Sequence, residues 1–400
     1  MLDLLVIGGG PAGIMAAITA AGKNKNVLLL DKNPSLGRKL LASGNGKCNL
    51  SNSTLVPDNY FGNKLFLKNI FAKFNNKTLD NFFKKRGVLL KTEEFGRVLP
   101  FTESSASILD CLQEEIAVNK VMVKNSEQVL SIEKNENIFT VKTGRGVYET
   151  RNILIAAGSS AYPQLGSTGS GYELAGNLGH TIKPLRPALV PLELEGNWFH
   201  KLQGVHVDAG IFIEKNGKKK DYFGELLFTK YGISGPVTLD ASLSIIDGIK
   251  ERAEVYLNLL PVYEDFIHPE LKAMLSFRPE KTIVAFLSGF LPKKIAVHLL
   301  PQMEIDPLTK VKDLSREDIE KIFNTLRNWH VKVIGPKSYS EAMAVAGGVS
   351  TDEISADTME SKLVPGVYFA GEVIDVVGES GGFNIQFAFS SGYIAGKSIK

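Results

Sequence analysis

"LLVIGGGPAGIMAAITAAG", Leu4 to Gly22, decides the fold. Four apolar residues, enough for one buried strand, run straight into three glycines, and Pro11 then opens an alanine-rich stretch with apolar residues at helical spacing. A second apolar run, Val27 to Leu30, ends in Asp31 and completes a βαβ unit. Gly8, Gly10 and Gly13 form G-x-G-x-x-G between the first strand and the helix. One glycine makes the tight turn, the next lets the backbone approach a pyrophosphate, and the third lets helix pack on strand. The helix amino terminus adds about half a positive charge facing the anion. An acid at the end of the second strand is where a ribose hydroxyl finds an acceptor. The pattern therefore predicts a dinucleotide site in an α/β Rossmann domain, against the alternative of an ordinary glycine turn.

The far carboxyl end says which dinucleotide. "FAGEVIDVVGESGGFNIQFAFSSG", Phe369 to Gly392, carries a strand, the acids Glu372 and Asp375, and then Gly381 and Gly382 opening a helix through Phe383, Asn384 and Gln386. A nicotinamide dehydrogenase usually finishes its nucleotide fold in the first half of the chain. A helix amino terminus at the far end suits the negative charge that a reduced isoalloxazine gathers at N1 and O2. The expectation is FAD, gripped from both chain ends. No second complete G-x-G-x-x-G follows a strand after Gly13, so a nicotinamide donor would bind transiently, without a dinucleotide fold of its own.

Bulk composition bounds the rest. The 400 residues exceed what one hydrophobic core usually serves, and 44% hydrophobic residues describe a globular chain of two or three domains. The apolar amino terminus contains Asp3, follows no basic region and is broken by glycines, so neither a signal peptide nor a membrane span is expected. Cys48 and Cys111, the only cysteines, cannot build a disulfide framework or a four-ligand zinc site, which fits a cytoplasmic location. His180, His200, His206, His268, His298 and His330 have no metal-ligand spacing, so no metal is expected. Net charge of +3 does not by itself imply nucleic acid.

Charge is unevenly spread, however. Lys64 to Lys91 holds eight Lys or Arg against one acid, Asp80, with Leu67, Ile70, Phe71, Phe74, Leu79, Phe82 and Phe83 at helical spacing. Two readings stand: two amphipathic helices with a solvated basic face, or a surface that tracks phosphates. Farther on, residues near 190 to 258 read as short strands and residues near 262 to 335 as helices, with Ser315 an N-cap and Asp318 three residues later.

Taken together, "VIGGGPAG", "GRKLLASGNGKCNLSN", "GELLFTKYGISGP" and the block from Ala342 to Gly392 resemble the BaiN/YhiN-like family of FAD-dependent flavoproteins over essentially the whole chain. The resemblance implies an α/β, glutathione-reductase-like FAD-binding Rossmann domain with inserted β-rich and helical domains. The expected boundaries are residues 1–189 and 336–400 for the FAD domain, 190–261 for the β-rich insertion and 262–335 for the helical one. It implies FAD contacts at Gly8, Gly10, Ala12, Gly13, Asp31, Lys32, Arg38, Lys39, Ser43, Gly44, Asn45, Gly46, Val129, Ala157, Gly158, Gly371, Glu372, Gly382, Phe383 and Asn384. Asp31 and Lys47 stand where the family pattern has Glu and Arg; both keep the charge, but lysine lacks arginine's bidentate fork. Members are linked to reduction of a ribosomal RNA uridine to dihydrouridine, to aminoacetone oxidation and to bile-acid ring reduction. Fold does not choose among these.

The favoured expectation is an NAD(P)H-dependent reductase of a large-subunit ribosomal RNA uridine, with Lys68, Lys73, Lys77, Lys84, Lys85 and Arg86 contacting phosphates. The alternatives are an oxidase of a small amine such as aminoacetone and a non-enzymatic flavin-binding protein. Reducing the uracil 5,6 double bond needs a hydride at C6 and a proton at C5. Cys48, in the loop placed at the flavin, is the candidate acid. Its other reading is a small hydrophobe packed beneath the cofactor. Cys111, at helical spacing in "ASILDCLQEEIAV", reads as core.

Overall fold

The computed structural model describes residues 1–215, 217–249, 254–260 and 273–400. They divide into two compact units, Met1–Ala188 with Tyr339–Lys400, and Leu189–Ser338. Among the described residues no helix is long and apolar enough to cross a membrane.

The first unit is built on a parallel sheet. Its strands are β1 (Leu4–Ile7), β2 (Val27–Leu30), β3 (Met122–Lys124), β4 (Ile153–Ile155) and β5 (Val367–Phe369), in the order β5-β4-β1-β2-β3. Every residue of β1, β2, β4 and β5 is buried. Continuous apolar strands of this kind belong to a sheet covered on both faces. The order reverses at β1, with β2 on one side and β4 on the other, and such a switch point opens a crevice at the carboxyl ends of the strands. The glycine turn after Ile7 lies at that end of β1.

Helix α1 (Pro11–Ala21) packs against α2 (Phe383–Ser398), so the two chain ends close on one sheet. The approach is close: a Cβ at Gly392 would lie 2.2 Å from the Ala12 carbonyl oxygen, and one at Gly396 would lie 2.3 Å from that of Ala16. The basic segment forms helices Lys64–Lys73 and Asn76–Lys84, capped by the side chains of Asn63 and Asn75. Their apolar stripe, with Leu67, Ile70, Phe74, Leu79 and Phe83 all but inaccessible, joins the core of this unit. An antiparallel three-stranded sheet, Val129–Asn135, Ile138–Thr143 and Val147–Thr150, buries Phe139 and Val141 on one face, as their alternation predicts.

The second unit differs from the expected division of residues 190–335 into a β-rich and a helical domain. One seven-stranded antiparallel sheet takes strands from both stretches: Leu192–Leu194, His206–Lys215, Lys218–Phe228, Gly232–Ser234 and Glu254–Asn258 from the first, Trp329–Val331 and Val333–Pro336 from the second. A single hydrophobic cluster joins Leu192, Ile211 and Leu226 of the sheet to Ile283, Leu299 and Phe323 of the later helices. The stretch expected to be β-rich also contains the helix Pro236–Ile249. The expected boundary at 261/262 itself lies outside the described residues. The helix Arg316–Arg327 starts as predicted, with Ser315 and Asp318 forming a reciprocal capping box.

Candidate functional site

The pyrophosphate end is shaped by what its glycines exclude. Gly8, at φ +110°, has only 2.4 Å between an added Cβ and the Ala156 carbonyl oxygen, and Gly13 only 1.9 Å to the Gly8 carbonyl oxygen. Gly10 is the opposite case: nothing lies within 4 Å of the position its Cβ would take. Helix α1 begins there with no side-chain cap and with Pro11 at its first position. An uncapped amino terminus with open space before it offers N–H donors and positive dipole to an anion, and the residues present fit the pyrophosphate of FAD. Ala12, buried, follows in the first turn.

Asp31 sits beneath this turn, 8% exposed. Its Oδ2 accepts the Gly9 N–H at 2.6 Å and its Oδ1 accepts the Asn33 N–H at 2.7 Å. The carboxylate thus fixes the glycine turn, and a carboxylate's further lone pairs are what a ribose hydroxyl would use. Lys32 donates to Thr168 Oγ1, which brings the loop before the helix Ser170–Asn177 beside it. Burial lowers the Lys32 pKa, partly offset by Asp31. Arg38 donates to Asn33 Oδ1 at 3.1 Å.

Lys39 and Glu372, 333 residues apart, form a half-buried ion pair of 2.6 Å. Ser159 Oγ donates to the same carboxylate oxygen at 3.1 Å. Gly371 comes within van der Waals reach of α1, its added Cβ falling 2.9 Å from that of Ala12. These contacts bring the amino-terminal loop, the segment after β4 and the carboxyl-terminal segment together. Ala157 and Gly158, half-buried, follow β4, and Val129 is buried at the head of its strand. Ser43 donates to the Leu40 carbonyl oxygen at 2.6 Å, and Gly44 and Asn45 take left-handed conformations at the exposed turn that ends at Gly46.

At the other end, Gly382 (φ +107°) opens α2 without a side-chain cap, and its added Cβ would lie 2.3 Å from the Ser51 carbonyl oxygen. Phe383 is buried edge-on against Tyr60 at 5.7 Å, and the Tyr60 hydroxyl donates to the Phe383 carbonyl oxygen at 2.8 Å. Asn384 accepts the Gly378 N–H at 2.8 Å and donates to the Gly378 carbonyl oxygen at 2.9 Å, so its carboxamide holds this loop closed. Asn52 Nδ2 donates to the carbonyl oxygens of Phe95 and Gly381, both at 3.1 Å. Ser51 Oγ donates to Gln386 Oε1. Sequence reasoning singled out neither Tyr60, Asn52, Ser159 nor Phe95. Their local sequence carries no signal, because each acts through a partner distant in the chain.

Cys48 departs from the acid role. The thiol is 0% exposed to solvent with only protein around it, and burial pushes its pKa up to about 12, partly offset by a hydrogen bond with Ser43. A group sealed by its own fold touches no substrate in this conformation, and a thiol so hard to ionise is a poor proton donor. It packs in the main core cluster, at a left-handed φ of 63°. Lys47, at the position noted for its missing fork, pairs instead with Glu103 at 2.7 Å. That bond and the one from Lys91 hold the Glu103 carboxyl down to about 2. Cys111 is buried in the helix Ser105–Val118, as its spacing predicts.

The basic helices present fewer free charges than the sequence count suggests. Lys73 pairs with Asp357, Lys84 with Asp80 at 2.6 Å, and Arg86 with Glu115 at 2.7 Å while lying over the Phe82 ring at 3.7 Å. Among the described residues, Lys68, Lys77 and Lys85 are exposed and form no ion pair. Nor do three His, Cys, Asp or Glu side chains come together there as a metal site would need; His268 lies outside the described residues.

A model of the HI0933-like protein Rossmann domain matches residues 2–398. The chain belongs to the HI0933-like family. It is 33% identical over 403 residues to ribosomal RNA dihydrouridine synthase of Escherichia coli strain K12, covering 99% of this chain and 98% of that protein. It is 32% identical over 401 residues to 3-dehydro-bile acid delta(4,6)-reductase of Clostridium scindens, covering 98% of each. Among solved structures, the HI0933-like chain is similar to 3-ketosteroid-delta4-(5alpha)-dehydrogenase from Rhodococcus jostii RHA1, with a TM-score of 0.50, 14% identity, and 99% and 96% of the two chains covered. At that identity the likeness concerns the fold alone. The HI0933-like chain is an enzyme of a flavin-dependent oxidoreductase family, with a FAD-binding Rossmann-type fold. The non-enzymatic alternative is set aside.

Proposed function

We propose that the chain is an NAD(P)H-dependent reductase that adds a hydride and a proton across a conjugated carbon–carbon double bond, with a large-subunit ribosomal RNA uridine as substrate. The observation that carries the reading is the meeting of the two glycine-rich chain ends: α1 opens on side-chain-free space at Gly10, α2 opens at Gly382, and Lys39 binds Glu372 between them. FAD bound by these residues would supply the hydride-transfer chemistry that links a nicotinamide donor to the substrate ring.

In this reading the chain's own residues bind and orient. The α1 terminus holds the pyrophosphate, and Asp31 fixes the glycine turn while keeping acceptor capacity for the ribose. The uncapped α2 terminus would favour the negative charge that a reduced isoalloxazine gathers at N1 and O2. Asn384 and Asn52 hold the loops on either side of that terminus. The proton for C5 comes from solvent or from a group at the loop surface, because Cys48 is sealed. The two relatives described above support reduction: one is named a ribosomal RNA dihydrouridine synthase, the other a 3-dehydro-bile acid delta(4,6)-reductase. Exposed Lys68, Lys77 and Lys85 supply phosphate contacts that a small amine would not need.

The test is anaerobic. NADH or NADPH should bleach the flavin absorbance of the purified protein without copurifying, and unmodified ribosomal RNA should restore it while gaining dihydrouridine. Reoxidation by air, with aminoacetone as the reductant and no response to RNA, would replace this reading with the oxidase.

A further inference from the structure

A tight turn, Glu94–Gly96, joins the strands Leu90–Thr92 and Arg97–Pro100. Phe95 stands at its tip and is 81% exposed, the largest value for any large hydrophobic among the described residues. Its backbone is left-handed, φ 58° and ψ 23°. That conformation is costly for a bulky side chain, and Gly or Asn would adopt it without strain. Its ring gains little packing there and its backbone is strained, so the side chain contributes little to the stability of the turn.

The Phe95 carbonyl oxygen accepts from Asn52 Nδ2, the same nitrogen that donates to Gly381. Asn52 is itself 2% exposed, its Oδ1 taken by the Thr54 N–H at 3.0 Å and hydroxyl at 2.8 Å. The Ser53 N–H donates to the Gly96 carbonyl oxygen at 2.8 Å, and a Cβ at Gly96 would lie 2.5 Å from Asn52 Oδ1. The turn is therefore a rigid arm bolted to the two segments that the proposed site wraps around the isoalloxazine. It ends in an exposed aromatic face.

We propose that Phe95 is a stacking platform for the planar ring of the substrate, and so a residue that sets which rings the enzyme accepts. The inference rests on the reductase reading, and its chemistry is that of a flat, conjugated ring such as uracil: an aromatic face holds such a ring by dispersion and quadrupole contact, with little demand on its hydrogen-bonding edge. A structural Phe95 would lower the thermal midpoint when replaced by glycine, whereas a platform loses ring binding with the midpoint kept, because the change relieves strain and removes no buried contact.

The experiment uses FAD-loaded protein and compares wild type with Phe95→Gly and Phe95→Trp. Each is titrated, without electron donor, with a uridine-containing oligoribonucleotide and with a 4-ene-3-ketosteroid, and binding is read as the perturbation of the flavin absorption spectrum. Thermal midpoints of the cofactor-free proteins are measured in parallel. Phe95→Gly should keep or raise the midpoint yet weaken ring binding by about 10- to 100-fold. Phe95→Trp should restore binding. Equal affinity in wild type and Phe95→Gly overturns the proposal, as does a Phe95→Gly midpoint that falls along with affinity. If wild type binds only the steroid and Phe95→Gly weakens that binding, the uridine reading fails and the platform stands. If wild type binds neither ring, both fall.

Discussion

Gly10→Val separates cofactor binding from folding more cleanly than any other single change. Gly10 has φ −82° and ψ −179°, extended backbone that valine adopts readily, and no atom lies within 4 Å of its added Cβ. The cost to the cofactor-free fold is the weaker N-cap, about 1 kcal/mol, or a midpoint shift of roughly 2–4 °C for a unit of this size. For the cofactor the substitution fills the space before the α1 donors. Displacing the pyrophosphate from two charge-assisted hydrogen bonds at about 1.5–3 kcal/mol each weakens FAD by roughly 10²- to 10⁴-fold. Differential scanning fluorimetry of stripped protein and quenching of FAD fluorescence on titration measure the two quantities. Gly8→Ala is the control, because its Cβ meets the Ala156 carbonyl oxygen at 2.4 Å and it should lose the fold itself. If Gly10→Val binds FAD as tightly as wild type, the pyrophosphate does not lie at α1 and the site is misplaced.

Cys48→Ala should keep flavin content and turnover, at a stability cost of about 1–2 kcal/mol for the buried void, and a 10²-fold fall in turnover would reinstate the thiol as the acid. Because the folded pKa near 12 exceeds the unfolded value of about 8.5, the contribution of the neutral thiol is complete below the unfolded pKa and is lost as pH rises through the folded one; iodoacetamide should accordingly label Cys48 at pH 8 only after denaturation. Lys39→Met strands the Glu372 carboxylate and should lower the urea midpoint of cofactor-free protein by an amount equivalent to about 1–2 kcal/mol, between the exposed and buried ion-pair limits. Reversing the unpaired Lys68, Lys77 and Lys85 should flatten the log–log salt dependence of RNA binding by about 0.7 to 0.9 per lost phosphate contact and leave the thermal midpoint in place. Reversing Lys73, Lys84 and Arg86 instead breaks ion pairs and should cost stability before it costs affinity.

The parts of the fold that obey local rules were legible in the sequence. β1, α1 and β2 follow from a buried strand, three glycines and a proline, and α2 from Gly381–Gly382 before an apolar run. The insertion was harder to read, because Trp329–Val331 and Val333–Pro336 are too short to show a period of two and enter the sheet only by pairing with distant strands. The helix Pro236–Ile249 lies between two strand-rich stretches with β-branched residues of its own. At the site, the glycines and Asp31 announced themselves by spacing. The Lys39–Glu372 pair and the Asn52 bridge to Phe95 and Gly381 did not, since sequence separation hides which loops meet. Cys48 misled for a related reason: residue type suggested an acid, and only packing reveals that the fold seals it.

The central claim, reduction of a ribosomal RNA uridine, is tested most directly by mass spectrometry of nuclease-digested large-subunit RNA from cells with and without the gene. The account predicts that deletion removes one dihydrouridine, leaving uridine about 2 Da lighter at that position, and that restoring the wild-type gene, but not one carrying Gly10→Val, brings it back. An unchanged dihydrouridine content in the deletion strain would contradict the account.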